Sequence, residues 1–568
     1  MSRAQASGSL SRSRSQESLS GQSCSSQGTY SIRSQSESSS DGEEDVDDYA
    51  EGGYLPVNIG DVFHERYIVV RKLGWGHFST VWLARDVTNE RHVALKVVRS
   101  AKSYAETARD EIDLLRRLAR ADPAHAGYAH VMRILDHFLH PSSHHGKPVQ
   151  HYCMVFEVLG ESLMGFLTPE AFLDRGVPID TVKQIAKQVL LGLDYMHRSA
   201  GLIHTDLKPE NVLICVEDVE RAIRADLARN PPERAPTATK TIRNRSVSEA
   251  ARLREICITA SQPLPSPKGS RALDYFTQQR HSVDSAIDGL ATLSLSPSPR
   301  TPGDDKQIGL HHLSSITPAL DKFSGLHSPL DDHMNMNPDT RITVKIADIG
   351  NSTPIEKHYS DDIQTRQYRS PEVIMGAKWG PSVDVWSLAC IVFELLTGGD
   401  ILFQPQGTPE YTKDDDHLAQ IYELCGPYPR HMIRDAYYSK HFFTSRGELR
   451  NIPSNRLRPW PLEDVLRDKY LFSKRKAREI AAFITPMLRS DPSLRASAQE
   501  MLAHPWLAGV VAQGEVDAAE RLNEVLRRQL EQLPQSPLEG PVSALSVQTS
   551  KAQPNNASAA AKKKKKKR

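Results

Sequence analysis

The sequence predicts an α+β fold in two lobes, a small β-rich lobe followed by a large helical one, with a disordered spacer interrupting the second. Three observations predict it. Short apolar runs separated by turn residues crowd into the stretch from Tyr67 to Val98, as strands do. From Val182 onward the apolar residues recur at helical spacing. After Ile214 the periodicity stops, and it resumes at Val344.

A chain of 568 residues would hold about three or four domains by length alone. Composition lowers that count, because three segments rich in Ser, Pro and charge cannot bury a core. The resulting division is a disordered Ser/Arg-rich and acidic tail over 1–58, the small lobe over 59–159, and the first part of the large lobe over 160–216. The spacer follows over 217–340, then the second part of the large lobe over 341–510, and a short helix with a basic tail over 511–568. The formal net charge of +1 conceals an acidic run, Asp41 to Asp48, and a basic run, Lys562 to Arg568. Six scattered cysteines without a CxxC pair argue for reduced thiols inside a cell and against a disulfide frame or zinc site. No apolar run reaches the length of a membrane span, and the N-terminus lacks an apolar signal core.

In chain order, Ser11-Arg12-Ser13-Arg14-Ser15 is too short to build an RNA-binding domain and reads as part of a solvated tail, itself a possible phosphorylation target. Tyr67 to Leu73 is a strand, followed by Gly74-Trp75-Gly76 and a second strand from Thr80. Glycines there let the backbone close over phosphates, although a lone GxG is more often a plain hairpin. Val93-Ala94-Leu95-Lys96 is a third strand ending in a cation. Ala108, Glu111, Ile112, Leu115 and Leu118 then share one helical face. Met154 to Gly160 is an apolar strand running into a link, equally readable as core strand plus turn or as a hinge. A gap of more than a hundred residues in a compact domain is tolerable where its ends lie close together, since each doubling of loop length costs only about 0.6 kcal/mol. Glu372 and Arg495 are candidates for a buried pair that pins the segment between Asp348 and Glu372.

The decapeptide Leu202-Ile203-His204-Thr205-Asp206-Leu207-Lys208-Pro209-Glu210-Asn211 carries the chemistry. Asp206 can accept a hydroxyl proton, Lys208 can neutralise a transferring phosphoryl group, and Asn211 can hold a metal ion. It resembles the catalytic loop of eukaryotic protein kinases, with Thr205 in place of the usual Arg. Asp348, in Asp348-Ile349-Gly350-Asn351, offers a second metal ligand, with Ile349 where kinases carry Phe. The two form an all-oxygen site suited to Mg2+.

The wider resemblance is to the SR-protein kinases, which phosphorylate serines in Arg-Ser repeats of splicing factors. Gly52-Gly53-Tyr54, the run Leu73 to Trp82, His204-Thr205-Asp206, Asp348 to Asn351 and Ile363 to Ser370 carry it, as does the spacer. It covers about 52–215 and 341–508 and implies a bilobal eukaryotic protein kinase fold, with ATP and Mg2+ as cofactors. It places Asp206 and Lys208 in catalysis. Leu73, Gly74, Gly76, Val81, Ala94, Lys96, Glu111, Phe156, Glu157, Leu159, Asn211 and Asp348 fall at the nucleotide, with Asn211 and Asp348 also on the metal. Asp416 and Glu423, seven residues apart and so on one face of a helix, match an acidic docking groove for Arg-Ser substrates. A solvated helix start is the plainer reading of those acids.

The resemblance further implies a monomer in cytoplasm and nucleus, with splicing factors as partners and no membrane or nucleic acid required. Activity is expected without phosphorylation of the activation segment, since Thr205 cannot receive a phosphate as Arg would. Deletion of about Ala225 to Ser328 is expected to leave catalysis intact. A pseudokinase scaffold is disfavoured because Lys96, Glu111, Asp206, Lys208, Asn211 and Asp348 are all present. An RNA-binding factor is disfavoured by the lack of aromatic RNP strands.

Overall fold

The computed structural model describes residues 44–144, 146–167, 176–231, 238–241, 255–258, 261 and 341–531. The Arg-Ser run, most of the spacer and the closing lysine run lie outside the described residues. The chain divides into two compact units, residues 1–521 and 522–568. Of the second, residues 522–531 are helical, with Leu522, Val525 and Leu526 exposed.

The small lobe is one antiparallel sheet of β1 (Val62–Phe63), β2 (Tyr67–Gly76), β3 (Ser79–Asp86), β4 (Arg91–Val98), β5 (Ile134–His144) and β6 (Lys147–Phe156). The strand order is β1-β2-β3-β4-β6-β5. The period of two along a strand sorts its side chains. Val93, Leu95 and Val97 of β4 join Cys153 and Val155 of β6 in one cluster with Trp82 and Tyr67. Ala94, Met154 and Phe156 face the other way, into the core shared with helix α1 (Lys102–Arg120). Lys96 alternates with Leu95 and Val97, which is how a cation comes to lie on the α1 side of an apolar strand.

The large lobe is organised around α2 (Ile179–Asp194) and, after the spacer, α4 (Ser382–Thr397). Every residue of α4 from Val383 to Thr397 is buried. A helix buried on all sides lies inside a core, not on its surface. Against α4 packs α6 (Lys474–Ile484). The chain after the spacer also forms α5 (Lys413–Cys425) and α7 (Gln513–Glu531). Two short ladders hold the loops that matter. β7 (Leu202–Ile203) pairs with β12 (Thr353–Pro354), and β8 (Val212–Ile214) pairs with β11 (Val344–Ile346). Ile214 stands opposite Val344, so the spacer leaves one strand and returns on its neighbour.

Two disordered assignments need correction. The spacer reading fails over 217–231, where α3 (Val219–Arg229) caps on Asp218 and packs against the small lobe. Its fully buried Ile223 meets Leu83 and Val158, with Leu73, Val219 and Leu227 alongside. Glu220 accepts from the His92 amide at 2.6 Å and the Arg85 guanidinium at 3.2 Å, and Asp226 pairs with Arg71 inside the protein. Val219, Ile223 and Leu227 form a stripe at four-residue spacing, too short to stand out against the polar stretch behind it. Farther along, β9 (Ala238–Thr241) pairs with β10 (Glu255–Ile258).

The tail reading fails over 44–58. Val46, Tyr49 and Tyr54 form a buried cluster, and Leu55 and Val57 enter the sheet core. Glu44 pairs with the buried Lys72, and Asp48 with Arg99. Acidic residues that suggest a solvated run are here neutralised by cations of the small lobe.

Candidate active site

Asp384 of α4 builds the catalytic loop from beneath. Its buried carboxylate accepts from the amides of His204 at 2.8 Å and Thr205 at 2.9 Å, and lies 2.8 Å from His197 Nε2. Thr205 adopts φ +66°, a strained left-handed conformation for a β-branched residue, and its hydroxyl donates to the Asn351 carbonyl at 2.7 Å. His204 Nε2 meets the Ala347 carbonyl at 2.9 Å. The loop is therefore fixed to both α4 and the Asp348 turn before any substrate arrives. In the sequence Asp384 is one acidic residue within an apolar stretch, and nothing in its spacing announces this role.

Asp206 is held at both carboxylate oxygens. Oδ2 lies 2.9 Å from Lys208 Nζ, while Oδ1 accepts from the Thr365 hydroxyl at 2.7 Å and its amide at 3.1 Å. Lys208 Nζ also reaches the Thr365 hydroxyl, at 3.2 Å. Thr365 is a site residue that sequence reasoning missed, having appeared there only within the activation segment. Asn211 donates from Nδ2 to the Asp206 carbonyl at 2.8 Å, which turns its Oδ1 away.

Asp348 sits in the left-handed region, at φ +56°. Burial raises its carboxyl to about 7; Lys96 opposes that, while Glu111 and Asp206 add to it. Lys96 meets both carboxylate oxygens of Glu111 at 2.7 Å, so α1 is engaged with the sheet. Asn211 Oδ1 and Asp348 Oδ2 are buried oxygens without a hydrogen-bond partner. Buried acceptors normally have partners. Two hard oxygens left open beside a carboxyl pushed toward neutrality fit a divalent cation, which would supply the missing charge.

The remaining nucleotide-site candidates line the sheet. Val81 stands opposite Gly74 on one side and Lys96 on the other, and Ala94 stands opposite Phe156. Phe156 is buried, and Gly76 closes the turn between β2 and β3. Leu73 packs in the cluster with Val158 and Ile223, so α3 backs the strand that carries it. Glu157 is engaged by Lys345 at 2.6 Å, and Leu159 follows half-buried.

The activation segment is fastened by an uncharged side chain. Gln364, at φ +66° and buried, donates from Nε2 to the Val383 carbonyl at 2.9 Å and the Ser387 hydroxyl at 2.8 Å. Its Oε1 accepts from the Ser370 amide at 2.9 Å. Tyr368 donates to the buried Glu394 at 2.8 Å. Glu372 and Arg495 form the expected bidentate pair, at 2.6 and 2.7 Å, with both side chains fully buried.

Asp416 and Glu423 lie on α5, apart from the catalytic group. Of the acidic triplet that opens this helix, Asp415 closes a capping box with Thr412, and Asp414 pairs with Arg366 of the activation segment at 2.6 Å. Asp416 accepts from the Gln406 amide at 2.8 Å, and Glu423 from the Arg458 amide at 2.6 Å; both remain partly exposed.

A β-rich lobe with a Lys-Glu pair, a helical lobe with a braced Asp, and two open buried oxygens are the arrangement of a protein kinase. Residues 67–260 and 333–507 match the protein kinase domain model. The chain is 44% identical over 493 residues to Protein kinase dsk1 of Schizosaccharomyces pombe, covering 82% of this chain and 85% of that one. It is 37% identical over 599 residues to Serine/threonine-protein kinase SKY1 of Saccharomyces cerevisiae (84% and 79%). It is 38% identical over 519 residues to SRSF protein kinase 3 of Mus musculus (82% and 90%). The chain belongs to the SR-protein kinase family and is a serine/threonine protein kinase that uses ATP. Among the described residues, no helix is long and apolar enough to cross a membrane.

Proposed function

We propose that this kinase transfers the γ-phosphoryl group of ATP to serines in Arg-Ser repeats of splicing factors, and so regulates mRNA splicing, in cytoplasm and nucleus. The observation that carries the substrate class is the acidic face of α5, joined to the activation segment through Asp414 and Arg366. A repeat of fixed cations needs such a surface, and likeness to a protein named SRSF protein kinase 3 agrees with it.

The chain's own residues divide the work. Asp206 accepts the serine proton, and the bonds from Thr365 and Lys208 hold its carboxylate toward the incoming hydroxyl. Lys208 balances charge as the phosphoryl group moves. Lys96, steadied by Glu111, takes the α and β phosphates. Asn211 and Asp348 would hold Mg2+, which when bound neutralises phosphate oxygens and fixes their geometry. Ionisation of Asp348, disfavoured by burial alone, is then favoured.

The kinase is constitutively active in this reading. Gln364, Tyr368 and Glu372 anchor the activation segment through bonds that need no added phosphate. Phosphatase-treated enzyme should start at full rate in a short assay; a lag removed by prior phosphorylation would refute this.

The docking assignment is tested by changing Asp416 and Glu423 together to Ala. A charge-assisted contact is worth about 1.5–3 kcal/mol when partly buried and much less when solvated. The double change should therefore weaken capture of long Arg-Ser substrates on the order of tenfold to a hundredfold, while short peptides are phosphorylated nearly as before. Wild-type affinity should fall with salt. Equal losses on long and short substrates would remove the assignment.

A further inference from the structure

We propose that Tyr54 is a positioning residue for ATP: its hydroxyl holds the glycine-rich turn so that the backbone N–H groups of that turn face the phosphates. The proposal rests on the kinase reading of this site and adds a part to it that lies outside the sheet.

The turn between β2 and β3 runs through Gly76, His77 and Phe78, and Gly76–Ser79 is the last pair of the ladder. The carbonyls of these three successive residues are each held from outside the hairpin. The Tyr54 hydroxyl donates to the Gly76 carbonyl at 2.7 Å. Arg99 Nη1 donates to the His77 carbonyl at 3.2 Å, and the Arg99 amide to the Phe78 carbonyl at 3.0 Å. In a planar trans peptide the N–H points opposite to its carbonyl. Fixing these three carbonyls fixes the direction of the His77, Phe78 and Ser79 amides on the other side of the turn. A phosphate-binding turn that would otherwise sample many orientations is pre-set, which lowers the entropy lost when ATP binds.

Tyr54 and Arg99 act as one unit. The guanidinium lies 4.2 Å from the centre of the Tyr54 ring and pairs with Asp48, and Tyr49 bonds Glu44 one turn earlier. The same segment reaches α1. The Ser100 and Ala101 amides donate to the Gly53 and Gly52 carbonyls at 3.1 and 2.9 Å, just ahead of the helix that presents Glu111 to Lys96. Gly53 is required for the close approach: a Cβ there would lie 1.8 Å from the Asp48 carbonyl oxygen. One short segment therefore ties the glycine turn to the helix that orients Lys96.

Tyr54→Phe in the full chain tests this, because the ring stays over Arg99 and only the hydroxyl is lost. One neutral hydrogen bond corresponds to about a threefold to tenfold change in affinity. The expected result is a KM for ATP, and a directly titrated Kd for a fluorescent ADP analogue, raised by that factor. The KM for peptide and the melting temperature should not change. Unaltered nucleotide affinity, or a loss matched by a fall in melting temperature, would overturn the proposal. Gly53→Ala, which displaces the segment, should weaken nucleotide binding further, and adding Tyr54→Phe to it should cost nothing more. Independent, additive losses would also overturn it. If instead the wild-type chain neither binds nucleotide nor phosphorylates any peptide, the kinase reading fails before Tyr54 is tested.

Discussion

At the scale of single residues, buried polar side chains anchor the segment from Gln364 to Glu372. Gln364 makes its bonds in a buried site, so Gln364→Ala strands donors and acceptors on Ser370, Ser387 and the Val383 carbonyl. Tyr368 and Glu372 hold the same segment independently. The expected loss in kcat/KM for peptide is therefore limited to about threefold to tenfold, measurable by steady-state kinetics. Glu394 supplies a pH dependence. Burial raises its carboxyl from 4.5 to about 7, against the pull of the Tyr368 hydrogen bond. Between those values the folded state holds a proton that the unfolded state releases, so the contribution of this group to stability is greatest below about pH 4.5 and is lost as pH rises toward 7. Glu394→Gln should remove that slope, worth on the order of a few kcal/mol, in melting curves taken across the range. An unchanged slope would mean that Glu394 is not its source.

At the scale of elements, legibility followed length and pattern. The strands from Tyr67 to Val98, the Glu111 helix face and the buried run of α4 all show sustained periodicity over many residues. The candidate catalytic decapeptide stands out because its acid, base and amide lie at short fixed spacings. Thr365, Gln364 and Asp384 were not, because their roles depend on partners far along the chain and each alone is an unremarkable polar residue. Segments 44–58 and 217–231 escape the sequence for a related reason: a few apolar residues in each pack on the small lobe, and ion pairs to Lys72, Arg99 and Arg71 neutralise their acids, which no local composition reports. This changes where the spacer can be cut. Removal of 232–333 should leave peptide kinase activity within about twofold, whereas a deletion beginning at 217 also removes Ile223 and Asp226. Losing one buried aliphatic side chain and one buried pair member costs about 2–5 kcal/mol each, so the longer deletion should lower the melting temperature and weaken ATP binding. Equal behaviour of the two deletions would show α3 to be passive.

At the scale of the whole chain, the ladder between β8 and β11 joins the two parts of the large lobe directly, beside the covalent path through the spacer. Ile214 stands opposite Val344, and beside them the Cys215 amide donates to the Thr343 carbonyl at 2.8 Å, a pairing that any chain ending nearby could make; α2 and α4 meet across a shared apolar core. The kinase is thus two polypeptides' worth of complementary surface that happen to be translated together. Residues 1–231 and 341–568, made as separate chains in one cell, should find each other, copurify and phosphorylate peptide. The cost is the lost tether, about 4–15 kcal/mol of association entropy, which should appear as concentration dependence that the intact chain lacks. Failure of the halves to assemble would show that the spacer acts in folding. Success would mean that a protease cutting anywhere between 232 and 340 leaves a working enzyme behind.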